Sequence, residues 1–184
     1  MNKGGSYDFE WCKVTCVHAE HSSSLWTENR SIPGGDAVGW VVKFRDRKEI
    51  IYHSGSTAVF RDMAIIDELY KPTILILPIG GLFTMGPAEA AFAVKKFFKN
   101  AKIVIPMSFN SGDDITPAKY SDFVTAFEEQ FKVIHEEKKE EIAEEEKNPD
   151  AEGEPKAEVI LETKPKLIDT EATLLAKLVT LKVE

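Results

Sequence analysis

Several things are scarce in this chain of 184 residues, and each scarcity excludes something. The longest apolar run, "TILILPIGGLF", falls short of the roughly 20 apolar residues that cross a bilayer. The opening "MNKGGSYDFEW" has no apolar leader segment. Only two cysteines occur, Cys12 and Cys16 in "WCKVTCV". On a strand they share a face but lie ~13 Å apart, at ~3.3 Å per residue. That distance forbids a disulfide and disfavours a metal pair, so both read as small apolar residues of core or surface. Basic residues form no stripe, which excludes a broad phosphate-contacting nucleic-acid surface. The expectation is a soluble, cytoplasmic protein that binds neither nucleic acid nor membrane.

What is present is enough for a core. Hydrophobic residues make up 43% of the chain, with 11 phenylalanines as bulky filling. The net charge of −8 is concentrated: residues 136–158 hold 11 acids and 4 bases, leaving 20 acids and 19 bases elsewhere. Residues 1–135 therefore read as the folded domain and 136–156 as an acidic, mobile linker. An apolar extension, 157–184, follows, whose leucines and valines fit a helix or a strand equally well.

The pattern changes along the domain. "SYDFEWCKVTCVHA" reads as two short strands, residues 22–37 as a loop rich in Ser, Pro and Gly, and "VGWVVKF" with "EIIYH" as a hairpin. Helical spacing then marks 58–70, through Met63, Ile66, Leu69 and Tyr70. "TILILPI" and "KIVIPM" read as buried strands, and residues 87–99 as a helix with Pro87 in its first turn. A third helix is expected from Thr116 as N-cap and Pro117 at the first position, with "KVIH" closing as a strand. Alternating strands and helices place this part in an α/β layer with a mixed sheet.

Chemistry-bearing residues are few. The four histidines are His18, His21, His53 and His135. "VHAEHSSS" puts two of them where a strand gives way to a polar loop, a weak metal signal taken alone. "HSGST" sets His53 near Ser54 and Ser56, but it is not the strained elbow of a nucleophilic serine, and a triad needs a base within hydrogen-bond reach and an orienting acid. The Gly80–Gly81 pair reads first as a tight strand-to-loop turn and second as an anion pocket.

Taken in order, "AEHSSS", "GGDAVGWVVKF", "IYHSGSTAVFRDM", "ELYKPTILILPIGGLFTMGPAEAA" and "VIPMSFN" closely resemble a family of metal-dependent hydrolases. That family belongs to the metallo-β-lactamase superfamily and is related to the ascorbate-phosphate lactonases. The resemblance covers about residues 2–135. It implies half of a metallo-β-lactamase-like αββα sandwich, the C-terminal half, with two or three helices on one sheet face and the other face uncovered. The family's H-x-H-x-D-H motif has no counterpart in this chain. Of the later ligands, His21 matches the second histidine of the "AEHSS" pattern. Ser56 stands where the pattern has Asp, and Ser108 where it has His.

A two-metal hydrolase needs a carboxylate between its ions and imidazoles around them, and a neutral serine hydroxyl replaces neither. Asp36, Asp62, Asp113 and Asp114 are the conceivable stand-ins. The resemblance thus implies a degenerate site around His21, Ser56 and Ser108, with His18, His53, Gly80, Gly81 and Thr84 as the remains of a pocket. It implies no metal cofactor for the isolated chain and no catalysis of its own. Function would come through association, as a homodimer or with a chain supplying the missing half. The alternative is a Zn- or Mn-dependent hydrolase of an ester, lactone or phosphodiester whose site is completed from elsewhere.

Overall fold

The computed structural model describes residues 1–110, 116–131 and 165–167. Strands β1 (Ser6–Asp8), β2 (Cys12–His18), β5 (Val38–Phe44), β6 (Ile50–His53), β7 (Ile74–Pro78), β8 (Ile103–Met107) and β9 (Lys166–Leu167) form a seven-stranded sheet. Its order is β1-β2-β5-β6-β7-β8-β9. From β1 to β6 the pairs are antiparallel, and from β6 to β9 parallel. The mixed α/β sheet is as expected. Strands β3 (Ser24–Trp26) and β4 (Ser31–Pro33) form a separate ribbon within what the sequence presents as plain loop.

Helices α1 (Met63–Tyr70), α2 (Pro87–Phe97) and α3 (residues 120–131) lie on one face of the sheet. The core joins Val17, Val41, Tyr52, Leu75, Leu77 and Val104 of the strands to Met63, Ile66, Ala90, Val94, Phe123 and Phe127 of the helices. Pairing runs Val41 to Tyr52, Tyr52 to Leu75 and Leu75 to Val104, so these side chains share a face. The alternate residues point the other way. Val14, Val42, Ile51, Ile74 and Ile103 form one row there, and none belongs to the core cluster. All are half-buried, while Cys12, Cys16 and Ile105 of the same face are buried; the described helices pack on the opposite face.

Two helix starts and the burial of one residue differ from expectation. Helix α1 starts at Met63 rather than at 58 because the Ala58 N–H is held by the Glu20 carbonyl at 2.9 Å, outside any helical ladder. Val59 and Phe60 pack on the core instead. Leu69, expected on the apolar face of α1, is exposed. Helix α3 starts at residue 120, not after Thr116, since the Ala118 carbonyl accepts from Asn110 N–H at 2.8 Å. Asp122 Oδ2 caps it by accepting from Lys119 N–H at 2.8 Å.

Cys12 and Cys16 are free and buried. No helix of the described residues is long and apolar enough to cross a membrane. The expected strand "KVIH" with His135, the linker 136–156 and most of 157–184 lie outside the described residues. From that extension, Pro165 to Leu167 add β9 beside β8.

Candidate functional site

The ends of β2, β6, β7 and β8 lie along one edge of the sheet. Three of these strands are parallel there, so their carboxyl ends open in the same direction, the usual place for a ligand in such sheets. Ser56 follows β6, Gly80 and Gly81 follow β7, and Ser108 follows β8. Local sequence dictates the sharp turns. Gly55 has φ 67°, and a Cβ there would lie 2.5 Å from the Val38 carbonyl. A Cβ on Gly80 would collide with the Ser108 carbonyl and reach Thr84 Oγ1 at 3.5 Å. Ser108 itself is left-handed, at φ 56°.

An open cleft of about 450 Å³ lies at this edge, lined by Glu20, His21, Gly81, Thr84, Met85 and Glu89 among others. Of the sequence candidates it gathers His21, Gly81 and Thr84. Gly80 and Ser108 adjoin it through their contact with Thr84 and each other. His18, His53 and Ser56 do not line it.

The histidines have defined partners. His21 Nδ1 lies 2.7 Å from the Ser22 carbonyl, and Nε2 lies 2.7 Å from the Phe83 carbonyl. Carbonyl oxygens only accept, so a nitrogen making either bond carries hydrogen and offers no lone pair to a metal. His18 Nδ1 accepts from Lys3 Nζ at 3.1 Å, and Nε2 donates to Glu20 Oε2 at 3.1 Å. Lys3 also pairs with Asp36 at 3.0 Å, giving a polar chain Asp36–Lys3–His18–Glu20. His53 Nδ1 accepts from Gly55 N–H at 3.1 Å and so braces the turn. Ser54 is buried and donates to the Gly55 carbonyl at 2.8 Å, which leaves no nucleophile–base pair with His53.

Metal fits this donor set poorly. Ser56 and Ser108 are exposed neutral hydroxyls. Asp36 is engaged with Lys3, and Asp62 stands at the N-cap of α1. Among the described residues no three His, Cys, Asp or Glu side chains converge as a metal cage. Asp113 and Asp114 lie outside those residues.

Sequence reasoning passed over Thr57. It is fully buried, its Oγ1 accepts from Glu20 N–H at 2.9 Å, and the same hydroxyl donates to the Ala58 carbonyl at 2.8 Å. The Thr57 carbonyl accepts from Met85 N–H at 3.0 Å. One residue thus clasps the loops after β2, β6 and β7. Its only local signal is a β-branched hydroxyl directly after the turn.

The mixed sheet with its helices on one face is the fold seen in metallo-hydrolase neighbours. A metallo hydrolase of Ignicoccus hospitalis superposes with a TM-score of 0.55 at 28% identity, covering 70% of this chain and 52% of that one. An isothiocyanate hydrolase from Delia radicum gut bacteria shares the fold alone, with a TM-score of 0.51 at 17% identity, covering 73% of this chain and 53% of that one. Residues 1–107 match the beta-lactamase superfamily domain, and the chain belongs to that family. Similar relatives are named UPF0173 metal-dependent hydrolases. One, from Solibacter usitatus, is 47% identical over 116 residues, 63% of this chain and 49% of the relative. Another, from Methanobrevibacter smithii, is 39% identical over 137 residues, 73% of this chain and 56% of the relative. The chain spans about half the length of the curated relatives it matches.

Proposed function

We propose that this chain is a metal-dependent-hydrolase-like half-domain that works by association, holding no metal and catalysing nothing by itself. The observation that carries this is the donor set: serines at 56 and 108, and a His21 ring directed at two backbone carbonyls. A bridging carboxylate is what holds two cations at a working distance, and hydroxyls cannot do so at neutral pH. Elemental analysis of the purified chain, after incubation with Zn or Mn and desalting, should find far less than one ion per chain. About one ion per chain, lost in His21→Ala, would overturn the reading. Ser56→Asp with Ser108→His should not create a strong hydrolase, because the other ligands of the resembling pattern are still missing.

A second reading is supported by the cleft at the strand ends, with His21 in its wall, and by the names and double length of the relatives. In it the chain contributes part of a Zn or Mn site for hydrolysis of an ester, lactone or phosphodiester. The rest comes from another chain or from the half the relatives carry in addition. With p-nitrophenyl acetate or bis-p-nitrophenyl phosphate plus Zn or Mn, the chain alone should give no rate above buffer. A rate that appears only when the chain is combined with the additional half carried by a relative, and that needs both metal and His21, would favour the hydrolase.

A further inference from the structure

We propose that a second cleft, on the helix side of the sheet, binds a small oxyanion: phosphate or a small phosphomonoester. It lies between α1 and strands β1, β2 and β5, and holds about 220 Å³. Ser6, Lys13, Thr15 and Lys43 line it from the sheet, Leu69 and Tyr70 from α1. It shares no residue with the cleft that holds His21 and sits toward the other end of the same strands, at the Cys12 end of β2. Pairing register builds it. Lys13 stands directly opposite Lys43, and residues two apart on a strand share a face. Both lysines therefore lie on the face of Thr15 and Val41, the one the helices pack on. Like charges opposite each other destabilise a strand pair. Asp8, which faces Lys13 from β1, is engaged by Arg45 Nη2 at 3.1 Å. Among the described residues no carboxylate pairs with Lys13 or Lys43. An anion between the two ammoniums would remove the repulsion.

The floor of the cleft adds a neutral donor. Thr15 is 4% exposed, and among the described residues its side chain bonds only to Ser6, Oγ1 to Oγ at 2.8 Å. A buried hydroxyl keeps its proton in a hydrogen bond, so Thr15 donates and Ser6 accepts. Ser6 is exposed, and its own proton is then free for a ligand in the cleft. Two ammoniums and one hydroxyl suit a tetrahedral oxyanion. Lysine offers a point charge with three donors, whereas a planar carboxylate is matched best by the fork of an arginine. The walls are apolar. Val41, Ile50 and Tyr70 form them with Leu69, which is 66% exposed and gives a small organic group something to pack on. The volume is below the ~300–1,000 Å³ of sites for drug-sized ligands, which excludes a nucleotide.

Amide shifts of the nitrogen-labelled 184-residue chain, titrated with inorganic phosphate and with phenyl phosphate at constant ionic strength, test this. Saturable shifts centred on Ser6, Lys13, Thr15 and Lys43 are expected. Lys13→Gln and Lys43→Gln should each weaken binding about tenfold, while Lys48→Gln, the same charge change in the β5–β6 turn, should leave it unchanged. Phenyl phosphate binding more tightly than phosphate, with the difference lost in Leu69→Ala, supports a monoester as the ligand. Equal affinity supports free phosphate. Benzoate binding as tightly as phenyl phosphate overturns the phosphate assignment. Should the lysine variants unfold, the wild-type chain still reports through acetylation of its lysines. At about ten times its half-saturating concentration, phosphate should slow the reaction of Lys13 and Lys43 about tenfold and spare Lys48. Shifts that do not saturate, binding kept in both lysine variants, or equal slowing at Lys48 overturns the proposal.

Discussion

Thr57 and Asp67 show how much can rest on single buried polar groups. Thr57 joins three loops through one hydroxyl and one carbonyl. Thr57→Val keeps the shape but removes the acceptor for Glu20 N–H, a loss of about 1–3 kcal/mol by the general cost of an unmade bond. Thr57→Ser keeps the oxygen and should lose less, and urea unfolding of the two variants gives the order. Asp67 is 5% exposed on α1. Its Oδ2 accepts from Asn100 Nδ2 at 3.0 Å, while Oδ1 is buried without a partner. Burial raises its carboxyl pKa above the ordinary value. Hydrogen bonds from Asn100 and Lys99 and the Lys99 charge oppose the rise without cancelling it. The folded chain then holds this proton more tightly than the unfolded chain. The stability it contributes is full below the unfolded carboxylate pKa and is lost as pH rises through the folded one. The stability of Asp67→Asn relative to the parent should therefore rise from acid to neutral pH, because the variant has no proton to lose. Urea melts at acidic and neutral pH give the sign.

At the level of elements, patterning reported the strands well and the helix starts badly. The runs "VGWVVKF" and "TILILPI" carry their own signal, because β-branched and apolar residues repeat within a few positions. The start of α1 depends on a hydrogen bond to Glu20, nearly forty positions earlier, and no local pattern contains it. The β3–β4 ribbon was hidden for another reason: Trp26 is 82% exposed, so no alternation marks it. The site divides in the same way. His21, Gly81 and Thr84 were legible through the resemblance and do line one cleft. The bond from His21 to the Phe83 carbonyl, 62 positions away, was not legible. Turn chemistry gives the sharpest element-level expectation. Gly55→Ala would place a methyl against the Val38 carbonyl at a positive φ, and β5, β6 and the Thr57 clasp all meet there. It should cost more than the ~1 kcal/mol typical of a Gly-to-Ala change at such φ, seen as a lowered urea midpoint with unchanged slope.

The whole molecule carries its apolar surface unevenly. Three helices bury one face of the sheet, while the other keeps half-buried Val, Ile and Trp side chains. Charge does little to decide what happens there, since the −8 total is gathered mostly in residues 136–158. If a second copy covers that face, folding and association are one reaction, and the melting temperature must depend on protein concentration. The size of the effect follows from the enthalpy. About 0.7 kcal/mol per residue over two folded domains gives an unfolding enthalpy near 180 kcal/mol, so a tenfold rise in concentration should raise Tm by about 3 °C. A monomer would show no such dependence. Calorimetry at two concentrations a factor of ten apart, with reversibility checked by rescanning, separates the two. If a second copy does cover the face, Val42→Lys should melt lower and lose the concentration dependence together.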